Sequence, residues 1–311
     1  MFFRKFDRIQ TGIEISEAGI TIAQVEKEKS GWRLLYGGTV PFPEEVINLS
    51  YKEKNIVSEE LFRETIRKAV AETRERVSCI GVSIPNEIVK ISIQKFEELP
   101  KSKSEIEKMI AWEMEKTLHF PLESTKISYH MIDSQGEKDR HLMVTAGILD
   151  VINDYENNLI HEKLLPKVIR PAGINQFNFF RNMLPENGVI AFLGLYEKFF
   201  TFFVFENGGL VFYHGVKKGF SDLHFFQDVD MTMKHYFNIS PEREIEKLYV
   251  GSQVAFHKEL KDVFQTLSNM DVSIIEESRL IKTGMDPDDP ETRTRLSSFS
   301  SAIGAAQSIS T

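Results

Sequence analysis

A single cysteine, Cys79, occurs in 311 residues, so no internal disulfide can form and a reducing compartment is expected. Lying in the apolar run Val77–Ile84, Cys79 reads as a small buried hydrophobe. Positive charge is not in excess: the formal net charge is −8 and no dense Lys/Arg stripe occurs, which argues against a nucleic-acid groove. A membrane-spanning run is missing too. The most apolar region, "VIAFLGLYEKFFTFFVFENGGLVFY", is cut by Glu197-Lys198 and again by Glu206 to Gly209, whereas a spanning helix needs about 20 uninterrupted apolar residues. "MFFRKF" lacks the apolar core of a signal peptide. Phe2, Phe3 and Phe6 with Arg4, Lys5 and Arg8 could touch anionic lipid, but an ordinary packed or frayed terminus is the preferred reading. The eight histidines form no metal-spaced pair, and "HEKLL" at His161 lacks the second histidine of a zinc-protease helix. Neither a Walker-type phosphate loop nor Gly-x-Gly-x-x-Gly is present. "DPDDPE", Asp286 to Glu291, does not fit a calcium loop and reads as solvated.

What is present is an order of strands. "TGIEISEAGITIAQVEKE" reads as a strand, a turn at Glu17–Ala18–Gly19 and a second strand. "GWRLLYGGTVPFP" is a third, with Gly37-Gly38 expected to break it. A helix follows from Ser58, an expected N-cap, with Leu61, Phe62, Ile66, Ala69 and Val70 as its buried stripe. "CIGVSIP" then returns as a strand, expected to join the sheet in parallel. The same opening recurs downstream, where "GVIAFLGLYEKFFTFFVFENGGLVFYHGVKKG" gives strand, turn, strand, a turn at Asn207-Gly208 and strand, with helical spacing from about Phe225. On pattern alone, a duplicated domain with a cleft and a chance recurrence of a common meander stand level.

The two hairpins and the cleft between them resemble the actin-like ATPase superfamily. The segment between the halves resembles the type IV pilus assembly protein PilM family. It carries Ser83-Ile84-Pro85 at a strand end, Leu99-Pro100 before an acidic helix around Glu105–Lys116, and Phe120-Pro121-Leu122-Glu123 after it. The resemblance extends from about Thr11 to Ala306 and takes in the small-residue helix "SSAIGAAQS", where Gly304 and the alanines would pack closely. The cytoplasmic domain of the type II secretion protein GspL is a related possibility, but it continues into a membrane helix not seen here. The resemblance implies an α/β, actin-like (ribonuclease H-like) fold of two lobes. Residues 1–187 would form the first, with a small α+β subdomain inserted at about 86–165, and residues 188–311 the second.

Superfamily members hold magnesium and nucleotide phosphates with a carboxylate and closely approaching glycines. By that resemblance the first Asp-x-Gly becomes Glu14-Ile15-Ser16 and the second becomes Phe192-Leu193-Gly194. The adenosine loop reads Val250-Gly251-Ser252-Gln253. Glu14, Ser16, Gly194, Gly251 and Ser252 are therefore a degenerate nucleotide site, with magnesium-ATP the candidate ligand, no cofactor required and no turnover expected. No catalytic or metal-binding residue is assigned. The competing reading is a working ATPase or sugar kinase, which would need an aspartate base beside intact phosphate loops.

The inserted segment should place a helix bearing Ile106, Met109, Ile110 and Leu118 on a sheet of "IVKISIQKF", "KISYHMI" and "HLMVTAGIL". In the first of these, Lys90, Ser92 and Gln94 alternate with Val89, Ile91 and Ile93, and the polar side is expected to be open. On pattern this is a sheet with a wet face. The resemblance instead implies a groove here for the amino-terminal tail of a PilN-like single-pass inner-membrane protein. Lys90, Ser92, Gln94, Met109 and Trp112 are the candidate wall, and Trp112 is either the aromatic anchor or a core residue. The function so implied is a cytoplasmic scaffold, peripheral to the inner membrane through its partner, with the cytoplasmic motor ATPase as a second partner.

Overall fold

Two sheets built to one plan face each other across a pair of helices. The computed structural model describes residues 8–115, 122–132, 140–220, 222–253, 259–268, 270–286 and 288–310. In the first half, β1 (Ile9–Ile15), β2 (Gly19–Glu28) and β3 (Gly31–Pro41) form an antiparallel meander. Helix α1 (Glu59–Ala71) leads to β4 (Cys79–Ile84), which pairs in parallel with β1. After the inserted segment, α3 (Leu149–His161) leads to β8 (Leu165–Pro171), parallel to β4, and α4 (Ala172–Phe180). The second half repeats this with β9 (Val189–Leu195), β10 (Phe200–Glu206), β11 (Gly209–Val216), α5 (Phe225–Ile239), β12 (Lys247–Ser252), α6 (Glu259–Ser268) and β13 (Asp271–Ile274). The sheet orders, β3-β2-β1-β4-β8 and β11-β10-β9-β12-β13, are the same pattern twice.

The alternation in the strands explains the layers. Ile13, Ile15, Ile20 and Ile22 point to one face of the first sheet, where α1 adds Phe62, Ile66 and Ala69 and α3 adds Val151, Tyr155 and Leu159. Ala23 and Val25 point to the other face. There α4 and α8 (Ser300–Gln307) lie between the sheets, together with Phe192, Phe203 and Phe205 of the second sheet. The outer face of that sheet packs Leu193, Phe202 and Val204 on Phe225, Val229 and Met233 of α5. Each fully buried Phe contributes roughly 1.5–3 kcal/mol. The tight turn at Asn207-Gly208 places both residues at positive φ, 49° and 80°, as a two-residue hairpin of this composition requires.

The end of the chain returns to the first half. β14 (Ile281–Lys282) extends the first sheet beside β3, and α8 packs on β1 and β4, although both segments lie within 188–311. Helix α7 (Pro290–Ser298) connects them, and the Asp289 carboxylate accepts its Thr292 N–H at 3.0 Å. Asp289 thus caps a helix inside the stretch read as a solvated loop.

Three other local expectations change. Cys79 is exposed, because it is the first residue of β4 and protrudes at the sheet's end. Gly37-Gly38 do not break β3; the ring of Phe299 lies against Gly37 where a side chain would be. Ser58 occupies the N-cap of α1, but its side chain makes no capping bond.

The inserted segment forms its own three-stranded sheet, in the order β5 (Val89–Phe96), β7 (Arg140–Ile148), β6 (Thr125–Ile132), all antiparallel. Helix α2 (Lys103–Glu115) packs Ile106, Ile110 and Met114 onto Leu142, Val144 and Ala146 of the central strand. Leu118, Phe120 and Pro121 lie outside the described residues.

Candidate functional site

The two hairpin turns approach each other at one end of the cleft. Lys198 of the β9–β10 turn donates to Glu17 of the β1–β2 turn at 2.8 Å. Behind this pair sits Glu14, at the inner end of β1 and 6% exposed. Gln253, just past β12, donates from Nε2 to Glu14 Oε2 at 2.6 Å. Ser301 of α8 also bonds to Glu14. The Ser301 hydroxyl is shared with Tyr196 Oη at 2.8 Å and donates to the Ala172 carbonyl at 3.2 Å. Burial pushes the Glu14 carboxyl up to about 8, and the bonds from Gln253 and Ser301 offset only part of that rise. Burial likewise holds the Tyr196 hydroxyl well above its ordinary value, with the charge of Glu14 adding to the effect. At neutral pH the site therefore contains a protonated carboxyl enclosed by neutral hydrogen-bonding groups.

The other candidate residues fall around this centre. Ser16 closes its own turn, donating from N and Oγ to the Gly19 carbonyl at 3.1 and 3.2 Å. Gly194 and Gly251 are paired neighbours on β9 and β12, and buried Ser252 pairs with Leu195. Gln176 of α4 and Thr201 of β10 crowd over Gly194, while the Phe180 ring covers Gly251. Phe192 is fully buried, with its ring 5.6 Å from Phe180 and 5.7 Å from Phe177. Glu14 and Gln253 thus come together, whereas Ser16 is taken up by its turn and the two glycines by side chains. As placed, these groups do not fit a magnesium–triphosphate. The one carboxylate of the set, Glu14, is buried and bonded to Gln253, and the second hairpin presents the buried Phe192 in place of an acid. Gln253, Tyr196, Ser301 and Lys198 were not selected from sequence as site residues. Only Gln253 carried a signal, its position immediately after Gly251-Ser252.

The second group of candidates divides differently. Ser92 and Gln94 face α2, with Gln94 Nε2 donating to Met114 Sδ at 2.9 Å and Ser92 Oγ at 3.9 Å from the same sulfur. The polar side of β5 is therefore covered by the helix, not open. Its apolar side, through Ile93 with Met143 and Ile132, packs toward Tyr213 and the core between the sheets. Both faces are covered because the central strand β7 supplies the helix-side apolar residues. Lys90 and Met109 are half-buried, and Trp112 is 62% exposed on the side of α2 away from its core. Its core reading does not hold.

Paired sheets of one strand order, with a hairpin from each at the cleft, define a protein of the actin-like ATPase fold. The family model described as type IV pilus assembly protein PilM matches residues 12–224, and the chain belongs to that family. Among solved structures it is similar to the "PilM-PilN type IV pilus biogenesis complex", at 14% identity and a TM-score of 0.81 over 96% of this chain and 98% of that one. It is also similar to a Bacteroides thetaiotaomicron protein described as having an actin-like ATPase fold and unknown function, at 9% identity and a TM-score of 0.52 over 95% and 98%. At these identities the likeness establishes the fold. No curated protein sequence matches the chain. Among the described residues no helix is long and apolar enough to cross a membrane.

Proposed function

We propose that this chain is a cytoplasmic scaffold of a type IV pilus assembly platform that captures the amino-terminal tail of a PilN-like single-pass inner-membrane protein without turning over ATP. The family match over residues 12–224 carries the scaffold reading, and the likeness to a PilM–PilN complex supports the choice of partner. The buried Glu14, bonded to Gln253, and the buried Phe192 support the absence of turnover. An extended tail gains main-chain hydrogen bonds along a sheet edge while alternate side chains enter pockets. The inserted sheet ends in edge strands β5 and β6, and Trp112 of α2 is the exposed aromatic of that subdomain. The scaffold would sit at the inner membrane through this partner and would link it to the cytoplasmic motor ATPase.

Co-purification in detergent tests the reading. The intact partner should be recovered with this chain, and a partner lacking its cytoplasmic tail should not. Equal recovery of the two overturns it.

A further inference from the structure

β1, β4 and β8 run in parallel, so their starting ends lie together, with Cys79 level with Leu165 in the ladder. Glu14 and the cleft are at the opposite end of the same strands. At the starting end Arg8, Arg74, Arg76, Lys163 and Lys167 are all exposed. None of the five has an ion-pair partner among the described residues. The acids there are largely compensated. Glu28 is bonded by both Arg33 and Lys282, at 2.5 and 2.8 Å, and Glu162 pairs with Arg67 at 3.1 Å. Glu26, Glu72 and Glu75 remain, fewer than the free cations. Leu165 and Ile160, 47% and 48% exposed, and exposed Cys79 lie among them. A chain of net charge −8 thus collects unpaired positive charge and apolar groups at one end.

We propose that this end docks on an anionic lipid bilayer. Positive charge beside exposed apolar side chains suits the headgroup boundary, where the charge meets lipid phosphates and the apolar groups enter the upper acyl region. Binding of this kind turns the cleft end of the lobe away from the membrane. It needs no partner protein, so it stands or falls separately from tail capture.

Sedimentation of the purified full chain with phosphatidylglycerol/phosphatidylcholine vesicles tests it, with pure phosphatidylcholine vesicles as control. Binding should appear only with the anionic vesicles and be lost at high salt, because exposed charges are screened within about 3 Å at 1 M. The R74E/R76E variant should bind more weakly by about fivefold or more per charge removed, with an unchanged melting temperature. Four results overturn the proposal: no sedimentation with anionic vesicles, equal binding to neutral ones, wild-type binding by R74E/R76E, or duplex DNA bound as tightly as the anionic vesicles. The last would make the end a general polyanion surface.

Discussion

Glu14 and Gln253, 239 residues apart in the chain, are joined by a 2.6 Å hydrogen bond across the interlobe cleft. The bond ties the inner end of the first hairpin to the strand end that in an actin-like ATPase would face the nucleoside. A second tie, Glu17 to Lys198, links the tips of the two hairpins. The tip pair is solvent-exposed and contributes about 0–1 kcal/mol, so the buried bond matters more to how the lobes are held.

Stability should fall as pH rises from about 5 to about 8. The Glu14 carboxyl is raised from 4.5 to about 8 by burial, and that of Glu277 is raised in the same way. Between those values the folded chain keeps protons that the unfolded chain releases. Their stabilising contribution is therefore complete below about 4.5 and lost as pH passes up through the folded value. Each group contributes a slope of at most about 1.4 kcal/mol per pH unit. In urea titrations across this window, Glu14→Gln should flatten the slope and be more stable than wild type at pH 8. An unchanged slope would show that Glu14 is not buried as a neutral acid.

Purified protein should hydrolyse no ATP above a no-enzyme control, and magnesium-ATP should leave its melting temperature unchanged. A ligand present at 100 times its dissociation constant would add about 2.7 kcal/mol, a readily seen shift. Turnover that disappears in Glu14→Ala would contradict the prediction.

Trp112→Ala and Gln94→Glu should part company. Trp112 is exposed, so its loss should change stability by about 0.5 kcal/mol or less and lower partner recovery. Gln94 lies under α2 against Met114, and its Oε1 is buried without a hydrogen-bond partner. A carboxylate there should cost on the order of 1–3 kcal/mol. Denaturation curves beside co-purification yields separate the two effects. A Trp112→Ala variant with full partner recovery removes Trp112 from the binding surface.

Gly304→Ala should destabilise by about 1–3 kcal/mol or more, because the new methyl would collide with the Asn175 carbonyl of α4. Neither rigid neighbour can yield. A denaturation midpoint equal to wild type would show that α8 is free to shift.

The repeated meander was legible in sequence because strand alternation and the Asn207-Gly208 turn are local signals. The partner of Glu14 was not, since nothing near Glu14 or Gln253 records that they meet. Alternation in β5 identified a polar and an apolar side correctly, but which side a helix covers is decided by β7, the strand next to it. β14, with two residues, is too short to carry any period, and the exposure of Cys79 depends on where its neighbours stop. Burial of Trp112 could not be settled by spacing either, because one face of α2 follows from its apolar period and the other does not.

The return of α8 to the first sheet has a consequence for synthesis. Residues 300–306 fill the face of β1 and β4 that α4 alone leaves uncovered, so the first lobe cannot finish its core until α8 has been made. Domains usually close in the order they emerge. Here β1 and β4 wait for α8, more than 200 residues downstream, with their inner face exposed until it arrives, and a chain cut just before residue 300 would be left with the first lobe open.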